Sequence, residues 1–241
     1  MSTPAFTQQT TTDKFVEGMR KLKTAALLHI IAWVLVVAAT LAGYGSIFAV
    51  LGMSVSWEPE HGVPPDTTSE LGATMGALIG MLVVTLAGTI LALVATYGYL
   101  LPASSDFAEY SREKYGTVST MLKVGYLGGI IAVLGGITII VVGALARLLG
   151  FLIVGLIIAI VGLILFIIGL IGLAMLMFKL KDDTGDDTFL IAGILLIIGI
   201  FVNILDIIAW ILVYVAAKPE ARPISGAAHK GSDVLPPPPP A

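Results

Sequence analysis

The sequence predicts an all-α fold: a polytopic transmembrane helical bundle of about five spans with short interfacial helices. Three observations carry this. Of the 241 residues, 57% are apolar and 12% are Asp, Glu, Lys or Arg, with a mean hydropathy of +1.00. Soluble domains hold about 45–50% apolar and about 25% charged residues. The apolar residues also lie in runs of at least roughly 20, the length that crosses a bilayer as a helix. Finally, the runs do not alternate polar with apolar as barrel strands do. Too few polar residues remain to coat a globule in water, which excludes a soluble enzyme, a nucleic-acid binder and a disordered chain. With no Cys, the chain has no disulfide, thiolate metal site or thiol catalyst.

Residues 1–24 form an N-terminal tail and an amphipathic segment. Phe15, Met19 and Leu22 recur at helical spacing while Lys14, Arg20, Lys21 and Lys23 fill the other positions. That pattern predicts an interfacial helix lying in the headgroup plane. The transmembrane domain follows over residues 25–217, with spans at 25–53, 71–101, 124–149, 151–178 and 189–217. The stretch 124–178 is nearly continuous. As one helix it would extend roughly 80 Å, far more than a bilayer, so it must turn near Arg147 and Gly150. A span at 25–53 is too long for a cleaved signal peptide.

The connecting segments are polar. Residues 54–70 carry Trp57, Glu58, Glu60 and His61 without the spacing of a metal site. Residues 102–123 open with Ser104, Ser105 and Asp106 and predict a surface helix. The four aspartates between Asp182 and Asp187 lack the alternation and closing Glu of a calcium loop, so Asp187 or Thr188 is expected to cap the last span. Residues 218–241 end in five prolines and predict an unstructured, Pro-rich tail. No metal and no cofactor is expected.

Short loops rich in Lys and Arg mark the cytoplasmic side. Lys14, Arg20, Lys21, Lys23, Arg112, Lys114, Lys123, Lys179 and Lys181 share one side of a five-span chain. Arg147, Lys218, Arg222 and Lys230 fall on the other. The expectation is a cell-membrane protein with its N-terminus cytoplasmic and its C-terminus outside.

Helices associate in lipid where small residues let backbones approach. Gly72, Gly76 and Gly80 form such a ridge on the second span. Gly129, Gly136 and Gly143 recur every seven residues on the third, as do Gly155, Gly162 and Gly169 on the fourth. The period of seven suits a left-handed pair, either within the chain or in a homo-oligomer.

Asp206 is the intramembrane charge, and Asn203 and Gly199 share its helix face. Two roles compete for it. As interhelical glue it would bond Asn203 or a hydroxyl such as Thr85, Thr89 or Thr138. As a functional group it would bind a cation or pass a proton. An intramembrane enzyme would need paired Asp, Ser with His, or a His-rich cluster, which this sequence does not offer.

The entry Glu17-Gly18-Met19-Arg20-Lys21-Leu22-Lys23-Thr24 and the closing unit from Phe189-Leu190-Ile191-Ala192-Gly193 to Tyr214 resemble the uncharacterised multi-pass membrane families common in archaea. The resemblance covers most of residues 14–217 and implies no catalytic residues. The resulting expectation is a non-enzymatic scaffold or accessory subunit. Its partners would be the lipid bilayer and a further membrane protein or another copy of the chain, without nucleic acid. The alternative is a small transporter or channel subunit centred on Asp206.

Overall fold

A computed structural model of the chain describes residues 5–55, 67–202 and 204–218. Among them the chain is helical nearly throughout. In order they form α1 (Ala5–Val55), α2 (Thr67–Leu93), a π-helical stretch (Val94–Leu100), α3 (Leu101–Tyr110), α4 (Arg112–Lys123), a second π-helical stretch (Val124–Gly128), α5 (Gly129–Leu145), α6 (Leu149–Thr184), α7 (Asp187–Gly199) and α8 (Ile204–Ala216). Four stretches are long and apolar enough to cross a membrane: Thr12–Gly45, Met75–Tyr110, Arg112–Leu145 and Leu149–Thr184. Asn203, the 56–66 loop and the tail from residue 219 lie outside the described residues.

Burial is inverted relative to a water-soluble fold. Leu82, Leu86, Ile131, Leu134 and Leu163 are 58–68% exposed along the long helices. In water that surface would forfeit the hydrophobic effect, whereas against lipid tails it forfeits nothing. The fully buried side chains gather at one end instead, where α1, α3, α4, α6, α7 and α8 converge into a base. Phe15 meets Phe107 edge-on and Phe107 stacks on Tyr115, with ring centroids 5.6 and 5.5 Å apart. Ion pairs tie the same end together. The Lys21 ammonium lies 2.6 Å from buried Asp106, and Lys14 lies 2.8 Å from Glu109. Asp183, 2% exposed, accepts from Lys114 and from the Tyr115 hydroxyl.

This base corrects two expectations. Residues 12–23 are no separate interfacial helix: they are the start of α1, and their apolar stripe is covered by protein. Residues 102–123 are no separate surface helix either. They are α3 and α4, which prolong the apolar helices into the base, and the chain reverses at the single extended residue Ser111.

Above the base the fold divides into two helical hairpins, α1 with α2 and α5 with α6, which share no packed interface with each other. The α5–α6 turn is made by residues 146–148. Arg147 takes a left-handed backbone (φ 54°), its N–H donates to the Ala144 carbonyl, and the Leu148 N–H donates to the Gly143 carbonyl. That pairing closes the helix end in the way a glycine usually does. Along the hairpin the seven-spaced glycines face the opposing backbone. A Cβ on Gly136 would lie 2.6 Å from the Ala159 nitrogen, and one on Gly155 would lie 2.7 Å from the Gly136 carbonyl. Gly129, Gly143, Gly162 and Gly169 likewise face the partner helix. Gly72, Gly76 and Gly80 face open space, while α2 meets α1 at Gly88 and Gly43.

The segment expected as a fifth span is broken. The chain leaves the helical path after Gly199, turns through residues 200–202 and re-enters a helix at Ile204. Helices α7 and α8 each have 13 residues. Each is therefore about 20 Å long, short of a hydrocarbon core of about 30 Å. The two pack on each other as a hairpin. The ends of the hairpin meet at the base: the charge of Lys218, just past α8, acts on Asp186 ahead of α7, and Lys23 sits 5.1 Å over the Tyr214 ring. The C-terminal end of α8 thus lies beside the basic start of α1, not at the opposite end. Asp186, rather than Asp187 or Thr188, caps α7 by accepting from the Thr188 N–H at 2.9 Å.

Candidate functional site

Where the two hairpins leave the base, the α7–α8 tip closes a cavity of about 370 Å³. Its wall is mostly aliphatic, from Ala92, Leu93, Ile130, Leu170, Leu173 and Leu196. Its polar contributors are His29, Thr89, Thr96, Tyr97, Tyr126, Asp206 and Trp210.

Asp206 stands in the first turn of α8. The break in the chain gives it this position, where the amides of a helix start and the helix dipole favour negative charge. Gly199 makes the hairpin tip tight enough for this, since a Cβ there would approach the Asp206 nitrogen to 3.3 Å. One turn on in α8, Trp210 lines the same cavity as Asp206. Its indole lies flat on the His29 imidazole, with ring centroids 4.1 Å apart and planes 9° from parallel.

His29 is held at both nitrogens. Nδ1 lies 2.9 Å from the Ala25 carbonyl, which can only accept, so Nδ1 carries a proton. Nε2 lies 3.3 Å from the Thr96 hydroxyl, which is also 2.9 Å from the Ala92 carbonyl. The Tyr97 hydroxyl donates to the Tyr126 carbonyl at 2.9 Å. Thr96 and Tyr97 come from one π-helical stretch and Tyr126 from the other. An inserted π turn re-aims side chains that an α-helical register would send elsewhere, and such turns gather at functional sites.

Of the partners expected from the sequence, Asn203 lies outside the described residues, and none of the three threonine hydroxyls bonds Asp206. Thr89 donates to the Thr85 carbonyl and Thr138 to the Leu134 carbonyl, and the Thr85 hydroxyl is buried without a partner. Of the expected set, only Thr89 shares the cavity with Asp206. Sequence reasoning missed His29, Thr96, Tyr97, Tyr126 and Trp210. The available signal was the aromatic and hydroxyl content of segments 94–100 and 124–128, which are less aliphatic than their surroundings. Among the described residues no group of three or more His, Asp or Glu is placed to hold a metal.

Fold and site together define a class: a helical bundle with four helices of membrane-crossing length, a broken helix pair and a polar-lined cavity at the bundle's basic end. The description "Protein of unknown function (DUF973)" belongs to the family model that matches residues 16–239, and the chain is a member of that family. No curated protein and no solved structure matches it.

Proposed function

We propose that this chain is a multi-pass protein of the cell membrane that binds a small solute in the cavity and carries it, without catalysing a reaction. The supporting observation is Asp206 at the start of a half-helix, inside a cavity between apolar arms. Ionisable groups within apolar bundles and broken helices whose termini face a cavity both accompany transport sites. Concave, mainly apolar pockets with a few convergent polar groups are also the usual form of a ligand site.

Orientation follows from charge. Among the described residues every Lys and Arg except Arg147 lies on the base end of the apolar helices. By the positive-inside rule that end is cytoplasmic, and it carries both the start of α1 and the end of α8.

The test is reconstitution of the full-length protein into liposomes, with capacitive currents recorded on a solid-supported membrane during jumps of proton, alkali cation and organic solute concentration. A saturable current is expected from the natural protein and not from Asp206→Asn eluting at the same size. Currents equal to those of protein-free vesicles for every solute would overturn the proposal.

A second reading, an accessory subunit or scaffold, draws on Gly72, Gly76 and Gly80. They leave a smooth strip on α2 with nothing among the described residues upon it. A stable partner recovered in mild detergent and lost with Gly76→Leu would favour it.

A further inference from the structure

We propose that the cavity takes a small organic monocation: one ammonium group on an apolar body. The inference rests on the solute-binding reading above and adds the chemical class of the solute. Three observations converge on it.

The first is charge. Among the described residues Asp206 is the only carboxylate on the cavity wall, and none of them places a Lys or Arg there. The two oxygens of that carboxylate offer acceptor capacity for a donor on the ligand. An anion would meet Asp206 with nothing to offset it. A zwitterion would satisfy one end only. A divalent metal ion takes about six to eight oxygen ligands, and a single carboxylate with scattered hydroxyls does not supply them.

The second is the commitment of the other polar groups. The hydroxyls of Thr89, Thr96 and Tyr97 are within hydrogen-bond distance of carbonyls of their own helices or of a neighbour. Tyr126 is different. The residue is 7% exposed, it lines the cavity, and among the described residues its hydroxyl makes no hydrogen bond. A sugar or other solute with many polar groups would leave most of them unpaired against aliphatic wall. A single N–H donor finds both Asp206 and the Tyr126 oxygen.

The third is the aromatic content. Trp210, Tyr97, Tyr126 and Phe166 all contribute to the wall, with Phe166 edge-on to Tyr126 at 5.2 Å. Ring faces attract a cation most strongly where water is excluded. The volume of about 370 Å³ falls in the range of small-molecule sites.

The test measures hexylammonium binding to the full-length protein in nanodiscs by isothermal titration, with empty nanodiscs as the background for partitioning. Hexanol and hexanoate serve as uncharged and anionic competitors with the same apolar body. Saturable binding is expected, at least tenfold weaker in Asp206→Asn and about threefold or more weaker in Tyr126→Phe, which loses one hydrogen bond to a charged group. Neither competitor should displace the amine. Absence of saturable binding, equal binding by Asp206→Asn, or equal displacement by hexanol or hexanoate would each overturn the assignment. If an Asp206-dependent current for protons or another solute survives that result, the ligand class alone is wrong. If the current is missing too, the solute-binding reading falls with it.

Discussion

The break between α7 and α8 sets where Asp206 sits and where the chain ends, and it can be read as a distance. The chain has no Cys, so spin labels can be placed without background at Asp187→Cys and Lys218→Cys. If residues 187–218 formed one straight helix, 31 rises of 1.5 Å would separate the labelled backbones by about 46 Å. In the hairpin the two positions lie at the same end of neighbouring helices, whose axes pack about 8–10 Å apart. Allowing for label arms, double electron–electron resonance in nanodiscs should give a distribution centred below about 25 Å, roughly half the straight-helix value. A companion measurement uses a membrane-impermeant maleimide on sealed vesicles. Lys218→Cys should react from the same side as Lys23→Cys, and Arg147→Cys from the other. A distribution centred above about 40 Å, the value an unbroken helix imposes, or Lys218→Cys reacting from the Arg147 side, would refute the hairpin and the reason given for tolerating Asp206.

Three further outcomes follow from the packing and the caps. Gly136→Leu should weaken the α5–α6 hairpin by about 1–3 kcal/mol or more through overpacking, whereas Gly80→Leu, facing open space, should stay within about 0.5 kcal/mol; equilibrium unfolding in mixed micelles separates the two. Asp183→Ala should cost about 2–4 kcal/mol, because it strands the Lys114 ammonium and the Tyr115 hydroxyl inside the base; a lowered thermal midpoint that Asp183→Asn partly restores would report it. The hydrogen bonds from the Thr188 hydroxyl and N–H hold the Asp186 carboxyl below its ordinary 3.8. A lowered folded value means that the stabilisation is complete above the ordinary value and fades as pH falls through the folded one. Exchange of the Thr188 amide should accordingly respond to Asp186→Ala at pH 7 and cease to respond at acid pH below both values.

The long helices were legible because hydropathy reports the solvent around a helix, and the exposed leucines and isoleucines of α2, α5 and α6 are what that reports. The turn at Arg147 was legible too, since a single helix of that length cannot fit a bilayer. The base was not legible. Phe15, Met19 and Leu22 make the same stripe whether lipid headgroups or Phe107 and Tyr115 cover it, so periodicity alone could not choose. Nor was the break in the last segment, because the aliphatic residues on both sides outweigh two polar positions in any hydropathy average. Its trace was local: Gly199, where a helix can stop, then Asn203 and Asp206 at the spacing of a capping residue and an acid in the first turn. The cavity's aromatic and hydroxyl groups stayed hidden for a different reason. Thr96, Tyr97 and Tyr126 occupy π-helical stretches, where the facing of each residue departs from the 3.6-residue repeat used to assign faces.

Those two stretches have a mechanical corollary. Each lies at the junction where one arm joins the base, at Val94–Leu100 and Val124–Gly128. Taking up the surplus residue of such a stretch, so that it winds as ordinary α-helix, advances the register by one position and swivels the far segment by about 100° about its own axis. Such a swivel would carry Gly136 off the α6 backbone and Gly88 off α1, so the keyed glycines of each arm hold the surplus residue where it is and keep Thr96 and Tyr126 on the cavity wall.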